Sequence, residues 1–211
     1  MAPNSPFDWY YGSGSNSGEG SGVIIDTTGV ILTNAHVVLT ETGGLCELEV
    51  YAAESPNEDP EWIASAQIVE EGIDREHDLA VIRLLDRRGR PTTAAGRVPI
   101  RIDDRELELG EEIKVLGFPG MGGIKITITP GEQSGWWSSS EDDWAGDFYK
   151  TSAKMGPGVS GGAAFSAVTG EFVGVPTAGS SSAEDGGDIL GLIRPNRYVI
   201  PLLDRVKRAD N

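Results

Sequence analysis

The sequence has one cysteine, Cys46, and only two histidines, His36 and His77, among its 211 residues. A single cysteine cannot form an intramolecular disulfide, and one cysteine with two histidines is too few for a typical structural zinc site. We therefore expect no disulfide framework and no metal site. Cys46 lies in an alternating run, Leu45–Tyr51, which is typical of a strand, so we expect a structural role for it.

Basic residues and long apolar runs are also scarce. The chain has 17 Lys and Arg against 33 Asp and Glu, and its net charge of −16 disfavours binding to nucleic acid or to anionic membranes. No run reaches the roughly 18 apolar residues of a membrane-spanning helix, so we expect no membrane insertion. The N-terminus lacks the basic start and apolar core of a signal peptide. The protein is therefore cytoplasmic, or extracytoplasmic if a signal has been removed.

Short apolar runs recur along the chain, separated by turns that its 29 glycines and 12 prolines favour. Eleven such runs, from Gly22–Ile25 to Ile189–Ile193, predict an all-β fold of two packed antiparallel barrels or a sandwich. The exception is Pro201–Arg208, where Leu202, Leu203 and Val206 have helical spacing. We expect a short C-terminal helix there, at about residues 200–208.

Changes in composition divide the chain into three segments. Residues 1–22 predict an N-terminal aromatic segment followed by a Gly/Ser linker. The Pro/Gly-rich stretch Gly89–Ile102 predicts the crossing between two β-halves, which places them at about residues 23–88 and 103–195. The aromatic residues of the N-terminal segment are candidates for docking on the body of the protein; they are Phe7, Trp9, Tyr10 and Tyr11.

Ser160 is the strongest candidate nucleophile, because it lies in a run of glycines, Met155–Ala163 (MGPGVSGGA). Glycine permits the sharp turn that exposes a serine hydroxyl and lets backbone N–H groups converge beside it. A serine nucleophile also needs a histidine as base and a carboxylate to orient that histidine. His36 follows the apolar run Val30–Thr33 directly, whereas His77 lies in a charged turn and is better explained as a surface residue. Asp78 begins an apolar strand and is the candidate carboxylate.

The segments that carry these residues resemble the trypsin-like serine proteases, in particular the bacterial HtrA/Deg-type branch. Gly20–Val38 (GSGVIIDTTGVILTNAHVV) resembles the catalytic-histidine segment, Glu76–Leu84 (EHDLAVIRL) the catalytic-aspartate strand and Thr151–Ala163 the catalytic-serine segment. Val115–Gly123 resembles the start of the second barrel, and the resemblance extends from about Gly20 to Asp204 without a recognisable PDZ module. It implies two packed six-stranded antiparallel β-barrels of the chymotrypsin type.

The resemblance also implies roles for individual residues. His36 would be the general base, Asp78 its orienting carboxylate and Ser160 the nucleophile, with the N–H groups of Gly158 and Ser160 forming the oxyanion hole. Substrates would be proteins or peptides, and no cofactor would be needed. The aromatic residues of the N-terminal segment would be the candidate surface of a homo-oligomer. The substrate would pair as an added strand with the pocket wall, which includes Pro176, Thr177 and Ala178.

The sequence departs from the family at two positions near the serine. Val159 stands where the family usually has Asn or Asp. Lys154 lies six residues before Ser160, at the position that forms the base of the primary specificity pocket in the family. It predicts a preference for acidic residues at the cleaved bond, unless its side chain points to solvent or pairs with an acidic loop.

Two other functions compete with an active protease. A protease-like fold can bind or scaffold without cleaving, although such chains commonly lose one member of the triad. An ester hydrolase of the α/β-hydrolase type has the order Ser, acid, His, which is the reverse of the order here.

Overall fold

The computed structural model describes residues 18–40, 44–94, 96, 99–119, 125–140, 145–180 and 190–210, with no side chains given for residues 178–180. This part of the chain forms eleven strands and two helices, α1 (Ala35–Val38) and α2 (Asn196–Ala209). The strands are β1 (Val23–Ile24), β2 (Val30–Thr33), β3 (Leu48–Ala52), β4 (Glu61–Asp74), β5 (Leu79–Leu85), β6 (Glu112–Gly117), β7 (Thr127–Ser139), β8 (Gly146–Thr151), β9 (Ala163–Ser166), β10 (Phe172–Ser180) and β11 (Leu190–Pro195). The predicted all-β class is confirmed.

The first five strands form one antiparallel sheet in the order β1-β2-β5-β4-β3. Its central strands β2 and β5 carry mostly buried residues, as expected for strands covered on both faces. The sequence predicted six strands in a closed first barrel, whereas the described residues of this half form five strands in an open sheet. The edge strand β1 has only two residues and pairs with β2 alone in the described part of the chain, so it does not close the sheet onto β3.

The remaining six strands form a closed antiparallel barrel in the order β10-β11-β8-β7-β6-β9. This agrees with the second barrel that the resemblance implied. Its interior is a cluster of apolar side chains that includes Ile113, Val115 and Ile193. Val159 belongs to the same cluster and is buried. An apolar side chain therefore suits position 159, because it extends this core toward Ser160.

A second apolar cluster joins the two halves. Leu32 and Leu79 from the sheet pack with Phe172 and Val175 from the barrel and with the buried face of α2. Full burial of one such side chain contributes about 1.5–3 kcal/mol, so this contact fixes the halves against each other. Within the described residues, neither helix has the length and apolar character needed to span a bilayer.

The C-terminal helix is confirmed, but it begins earlier than the pattern predicted. α2 starts at Asn196, before the predicted start near residue 200, and Pro201 lies within it. The start is held by the buried Asn196 side chain, whose Nδ2 donates to the carbonyls of Asp103 (2.7 Å) and Phe172 (2.6 Å). The candidate oligomer residues lie outside the described residues; they are Phe7, Trp9, Tyr10 and Tyr11.

Candidate active site

His36 lies where the sheet meets the barrel. β2 ends at Thr33, and the single-turn helix α1 presents the His36 ring while Ala35 and Val38 are buried beneath it. Asn34 precedes this helix at a position where Asn usually caps the first turn, but its side chain makes no capping hydrogen bond. That side chain is free to make tertiary contacts.

Asp78 faces His36 from the start of β5. It is 3% exposed and has a positive φ of 54°, a left-handed conformation that Asp tolerates better than most residues. Its Oδ2 accepts a hydrogen bond from His36 Nδ1 at 2.8 Å, and its Oδ1 accepts the His36 backbone N–H at 2.9 Å. Both carboxylate oxygens therefore hold the histidine.

The electrostatics of this pair favour a protonated imidazole. Burial of the ring lowers the pKa of His36, but the charge of Asp78 and the hydrogen bond to it outweigh burial and raise the pKa above its ordinary value. A histidine with a raised pKa is a stronger base when neutral. The pair has the geometry of a general base and its orienting carboxylate.

Ser160 lies in a turn formed by residues 156–162. Gly158 and Gly161 have φ values of 94° and 84°, a region that glycine adopts without steric cost. The turn is closed by hydrogen bonds from Val159 N–H to the Gly156 carbonyl (3.1 Å) and from Gly162 N–H to the Val159 carbonyl (2.9 Å). The predicted sharp turn around Ser160 is thus present.

The Ser160 side chain points into the junction between the sheet and the barrel. It is 3% exposed, and its hydroxyl donates to the Thr177 carbonyl on β10 at 2.9 Å. The next residue, Gly161, donates its N–H to the Pro176 carbonyl at 3.0 Å. The serine turn is therefore attached to the strand that was predicted to line the substrate pocket.

Asn34 links all three parts of the site. Its Nδ2 donates to the Asp78 carbonyl at 2.7 Å and to the Thr177 hydroxyl at 2.5 Å, and the residue is fully buried. The carbonyl of Thr177 also accepts the hydrogen bond from the Ser160 hydroxyl. Asn34 therefore connects the segments that carry His36, Asp78 and Ser160. Asn34 is not predicted from the sequence as a site residue, since a polar residue before a helix predicts a cap.

Ser21 was also missed, because a Gly/Ser run predicts a flexible linker. Ser21 is buried against the serine turn. Its N–H donates to the Ser160 carbonyl (2.8 Å), and its hydroxyl donates to the Gly158 carbonyl (2.6 Å). The only sequence signal for this close approach is that Ser21 is a small residue between two glycines, Gly20 and Gly22.

Of the other predicted pocket residues, Pro176 and Thr177 contact the serine turn through their carbonyls. Pro176 and Thr177 are buried on β10, and the side chain of Ala178 lies outside the described side chains. Lys154 has an exposed side chain, and its carbonyl accepts the Thr129 hydroxyl at 2.9 Å. The neighbouring Met155 packs against β11, where a Cβ on Gly191 would lie only 2.6 Å from Met155 Cε.

His77 is not part of this arrangement of His36, Asp78 and Ser160. Its Nδ1 lies 3.0 Å from Asp74 Oδ2, and its ring stacks on Tyr198 with the centroids 4.3 Å apart. It is thus a partly buried histidine of the turn before β5, rather than the freely solvated one that the sequence suggested. Among the described residues, no group of three or more His, Cys, Asp or Glu side chains has the arrangement of a metal site.

Comparison with known proteins gives consistent matches. The family described as trypsin-like peptidase domain matches residues 20–175. A putative serine protease HhoA of Synechocystis sp. is 32% identical over 166 residues, covering 77% of this chain and 37% of the relative. A probable periplasmic serine endoprotease DegP-like of Halomonas elongata is 33% identical over 156 residues, covering 74% of this chain and 28% of the relative.

A solved structure matches over most of the fold. The HtrA-type protease AlgW with decapeptide superposes with a TM-score of 0.68 at 26% sequence identity, covering 91% of this chain and 52% of that one. The chain spans less than half the length of the two curated relatives above. The matched region contains the segments of His36, Asp78 and Ser160.

Proposed function

Because this chain belongs to the trypsin-like peptidase family, in its HtrA-type branch, we propose that it is a serine endopeptidase acting through His36, Asp78 and Ser160. The observation that carries the proposal is the buried Asp78 carboxylate, which holds both the ring and the backbone of His36 at 2.8 and 2.9 Å. A carboxylate that only stabilised the fold would not need to hold the ring and the backbone of one histidine with its two oxygens.

The first half of the proposed reaction forms an acyl-enzyme. Substrate binding turns the Ser160 hydroxyl proton from the Thr177 carbonyl to Nε2 of neutral His36. Ser160 Oγ then bonds to the peptide carbonyl carbon, and the carbonyl electrons move onto its oxygen. The protonated His36, stabilised by Asp78, gives its proton to the amine nitrogen as the C–N bond breaks.

The second half repeats these steps with water. His36 takes a proton from water, whose oxygen attacks the acyl carbon, and the proton returns to Ser160 as the ester bond breaks. The N–H groups of Gly158 and Ser160 hold the negative oxygen of each tetrahedral intermediate. Loss of one such donor typically lowers turnover on the order of 10²–10³-fold.

The proposed substrates are unfolded segments of proteins or peptides, bound as a strand beside β10. The AlgW structure, which contains a decapeptide, supports a peptide ligand. Pro176 has no N–H to donate, so the pairing relies on its neighbours along β10. An extracytoplasmic location is proposed from the relatives whose names describe them as periplasmic.

Lys154 is proposed to favour acidic residues at the cleaved bond. Its exposed ammonium group lies six residues before the nucleophile, and opposite charges at close range attract. Cleavage of a peptide library, read by mass spectrometry, should enrich Asp and Glu for the native protein and lose this enrichment in Lys154→Ala. Lys207→Ala, which removes one exposed positive charge from α2, is the matched control. A native profile without acidic enrichment would contradict the preference while leaving the peptidase activity intact.

The peptidase proposal itself is tested on the same library. The native protein should cleave peptides, and Ser160→Ala, His36→Ala and Asp78→Ala should abolish cleavage with the fold retained by circular dichroism. A native protein that binds library peptides without cleaving them would instead be a protease-like binding domain. In that case the peptidase proposal would be wrong.

A further inference from the structure

Ser21 lies buried where three segments of the molecule meet. It precedes β1, is 6% exposed, and contacts the serine turn, the end of β6 and the end of β2. Every polar group of this residue takes part in a hydrogen bond. A buried serine whose polar groups are all hydrogen-bonded is held in one position by its neighbours.

Two of these bonds hold the turn that carries the nucleophile. The Ser21 hydroxyl donates to the Gly158 carbonyl at 2.6 Å, and the Ser21 N–H donates to the Ser160 carbonyl at 2.8 Å. Because a peptide unit is planar, fixing the Gly158 carbonyl fixes the whole unit between Gly158 and Val159. Glycine has the widest backbone freedom, so an external contact is needed to hold Gly158 in one conformation.

The other two bonds hold Ser21 itself. The Phe118 N–H, just after β6, donates to the Ser21 hydroxyl at 2.9 Å. The Thr33 hydroxyl, three residues before His36, donates to the Ser21 carbonyl at 2.7 Å. The serine turn is thereby connected through one residue to the barrel and to the segment of the general base.

Two glycines make the close approach of Ser21 feasible. A Cβ on Gly117 would lie 3.0 Å from Ser21 Oγ and 3.0 Å from Val159 Cα. A Cβ on Gly161 would lie 2.2 Å from the Ser21 carbonyl oxygen, which is far inside van der Waals contact. Larger residues at either position would displace Ser21 from the turn.

We infer that Ser21 is a positioning residue of the oxyanion hole, an inference that rests on the proposed peptidase function. It does not touch the reacting atoms. Its hydroxyl fixes the Gly158–Val159 peptide unit, and its N–H fixes the Ser160 carbonyl. The two fixed peptide units, Gly158–Val159 and Ser160–Gly161, lie on either side of the unit that carries the Ser160 N–H. The first of them also adjoins the unit that carries the Gly158 N–H, so Ser21 restricts the orientation of both donors. Catalysis by such donors depends on their being aimed before the charge develops.

The rate of phosphonylation by a fluorophosphonate probe measures this positioning. Attack of Ser160 Oγ on phosphorus passes through a five-coordinate centre, in which negative charge builds on the phosphoryl oxygen before fluoride leaves, and the oxyanion hole would hold that oxygen. In Ser21→Ala the Gly158 carbonyl loses its donor, and we expect the limiting labelling rate to fall roughly 10- to 100-fold, less than the loss of an entire oxyanion donor. The pH midpoint of labelling, which follows His36, should stay unchanged. A purely structural loss would disturb the base as well and would move that midpoint.

Two more variants make the test independent of simple destabilisation. Gly117→Ala keeps the Ser21 hydroxyl and pushes against it, so it should slow labelling in the same way. Ser166→Ala is the matched control, because Ser166 is another buried serine whose hydroxyl donates to Glu111 Oε1 at 2.7 Å, at the opposite end of β6. Its labelling rate should equal that of the native protein.

The outcomes separate this inference from the proposed function. If the native protein is not labelled, both fail. If the native protein is labelled at Ser160 but Ser21→Ala and Gly117→Ala react within twofold of it, only the positioning role of Ser21 is refuted. An equal slowing in Ser166→Ala, or a shifted pH midpoint in Ser21→Ala, would also refute it. Slow labelling in both Ser21→Ala and Gly117→Ala, with the midpoint and the Ser166→Ala rate unchanged, would support it.

Discussion

Replacing Asp78 with asparagine tests how the proton of His36 is placed, because the change removes the charge and keeps the shape. In the native site one carboxylate oxygen accepts His36 Nδ1–H at 2.8 Å and the other accepts the His36 backbone N–H at 2.9 Å. An asparagine can keep its oxygen on only one of these donors. If its NH₂ group faces Nδ1, the imidazole must carry its proton on Nε2, which then cannot accept the proton of Ser160.

The expected magnitude follows from the bond between Asp78 and His36 Nδ1, because the charge of Asp78 stabilises the imidazole as it becomes protonated. One hydrogen bond to a charged group contributes about 1.5–3 kcal/mol, which at about 1.4 kcal/mol per factor of ten corresponds to roughly 10–10² in kcat/KM. The misplaced imidazole proton adds to this loss. Replacing the orienting aspartate of a serine protease triad with asparagine costs about 10⁴, so we expect Asp78→Asn to lose roughly 10⁴.

The assay is kcat/KM on a fluorogenic peptide chosen from the library, measured across the titration range of histidine. NMR should show a lower His36 pKa in Asp78→Asn, because the charge that raises it is gone and burial of the ring remains. Asp74→Asn is the matched control, since Asp74 holds His77 in a similar pair at 3.0 Å. A rate for Asp78→Asn within tenfold of the native protein would refute the proposed role of Asp78.

Three further changes test the packing and the electrostatics of the site. Asn34→Leu removes the donor to the carbonyl of Asp78 and to the hydroxyl of Thr177. We expect urea melts to show a loss of roughly 1–3 kcal/mol in the free energy of unfolding. An unchanged midpoint would argue against a stabilising role of these two hydrogen bonds. Gly161→Ala puts a Cβ where no space exists, at a φ of 84°, so we expect a large fall in melting temperature, and a native-like melt would contradict this. The raised pKa of His36 means that its protonation stabilises the fold: this contribution is complete below the unfolded pKa of about 6.5 and is lost as pH rises through the folded pKa. The difference in unfolding free energy between the native protein and His36→Gln should therefore shrink as pH rises through the folded pKa of His36. A difference that grows over this range would contradict the raised pKa.

The strands could be predicted where one face or both faces are apolar. β2 has the predicted bounds, Val30–Thr33, because every residue in it is buried. β4 extends beyond its apolar stretch: Glu61 at its start and Glu70 and Glu71 near its end are exposed, but its backbone pairs with β3 at one end and with β5 at the other. Alternation of apolar and polar residues shows which part of a strand is half-buried, whereas backbone pairing with a neighbouring strand can continue beyond that part.

The site could be predicted only where its residues lie in recognisable segments. His36, Asp78 and Ser160 were located in this way, and the structure brings the first two into contact. Ser21 and Asn34 could not be found, because their partners are 137 and 143 residues away. The local sequence predicts a linker at Ser21 and a helix cap at Asn34, and tertiary hydrogen bonds override both preferences.

The most direct measurement of the central claim is covalent labelling of the native protein by a fluorophosphonate, with the modified residue located by mass spectrometry. The proposed function predicts one adduct, on Ser160, that disappears in Ser160→Ala and is strongly slowed in His36→Ala. A folded native protein that forms no adduct, or forms one on another serine, would contradict Ser160 as the nucleophile.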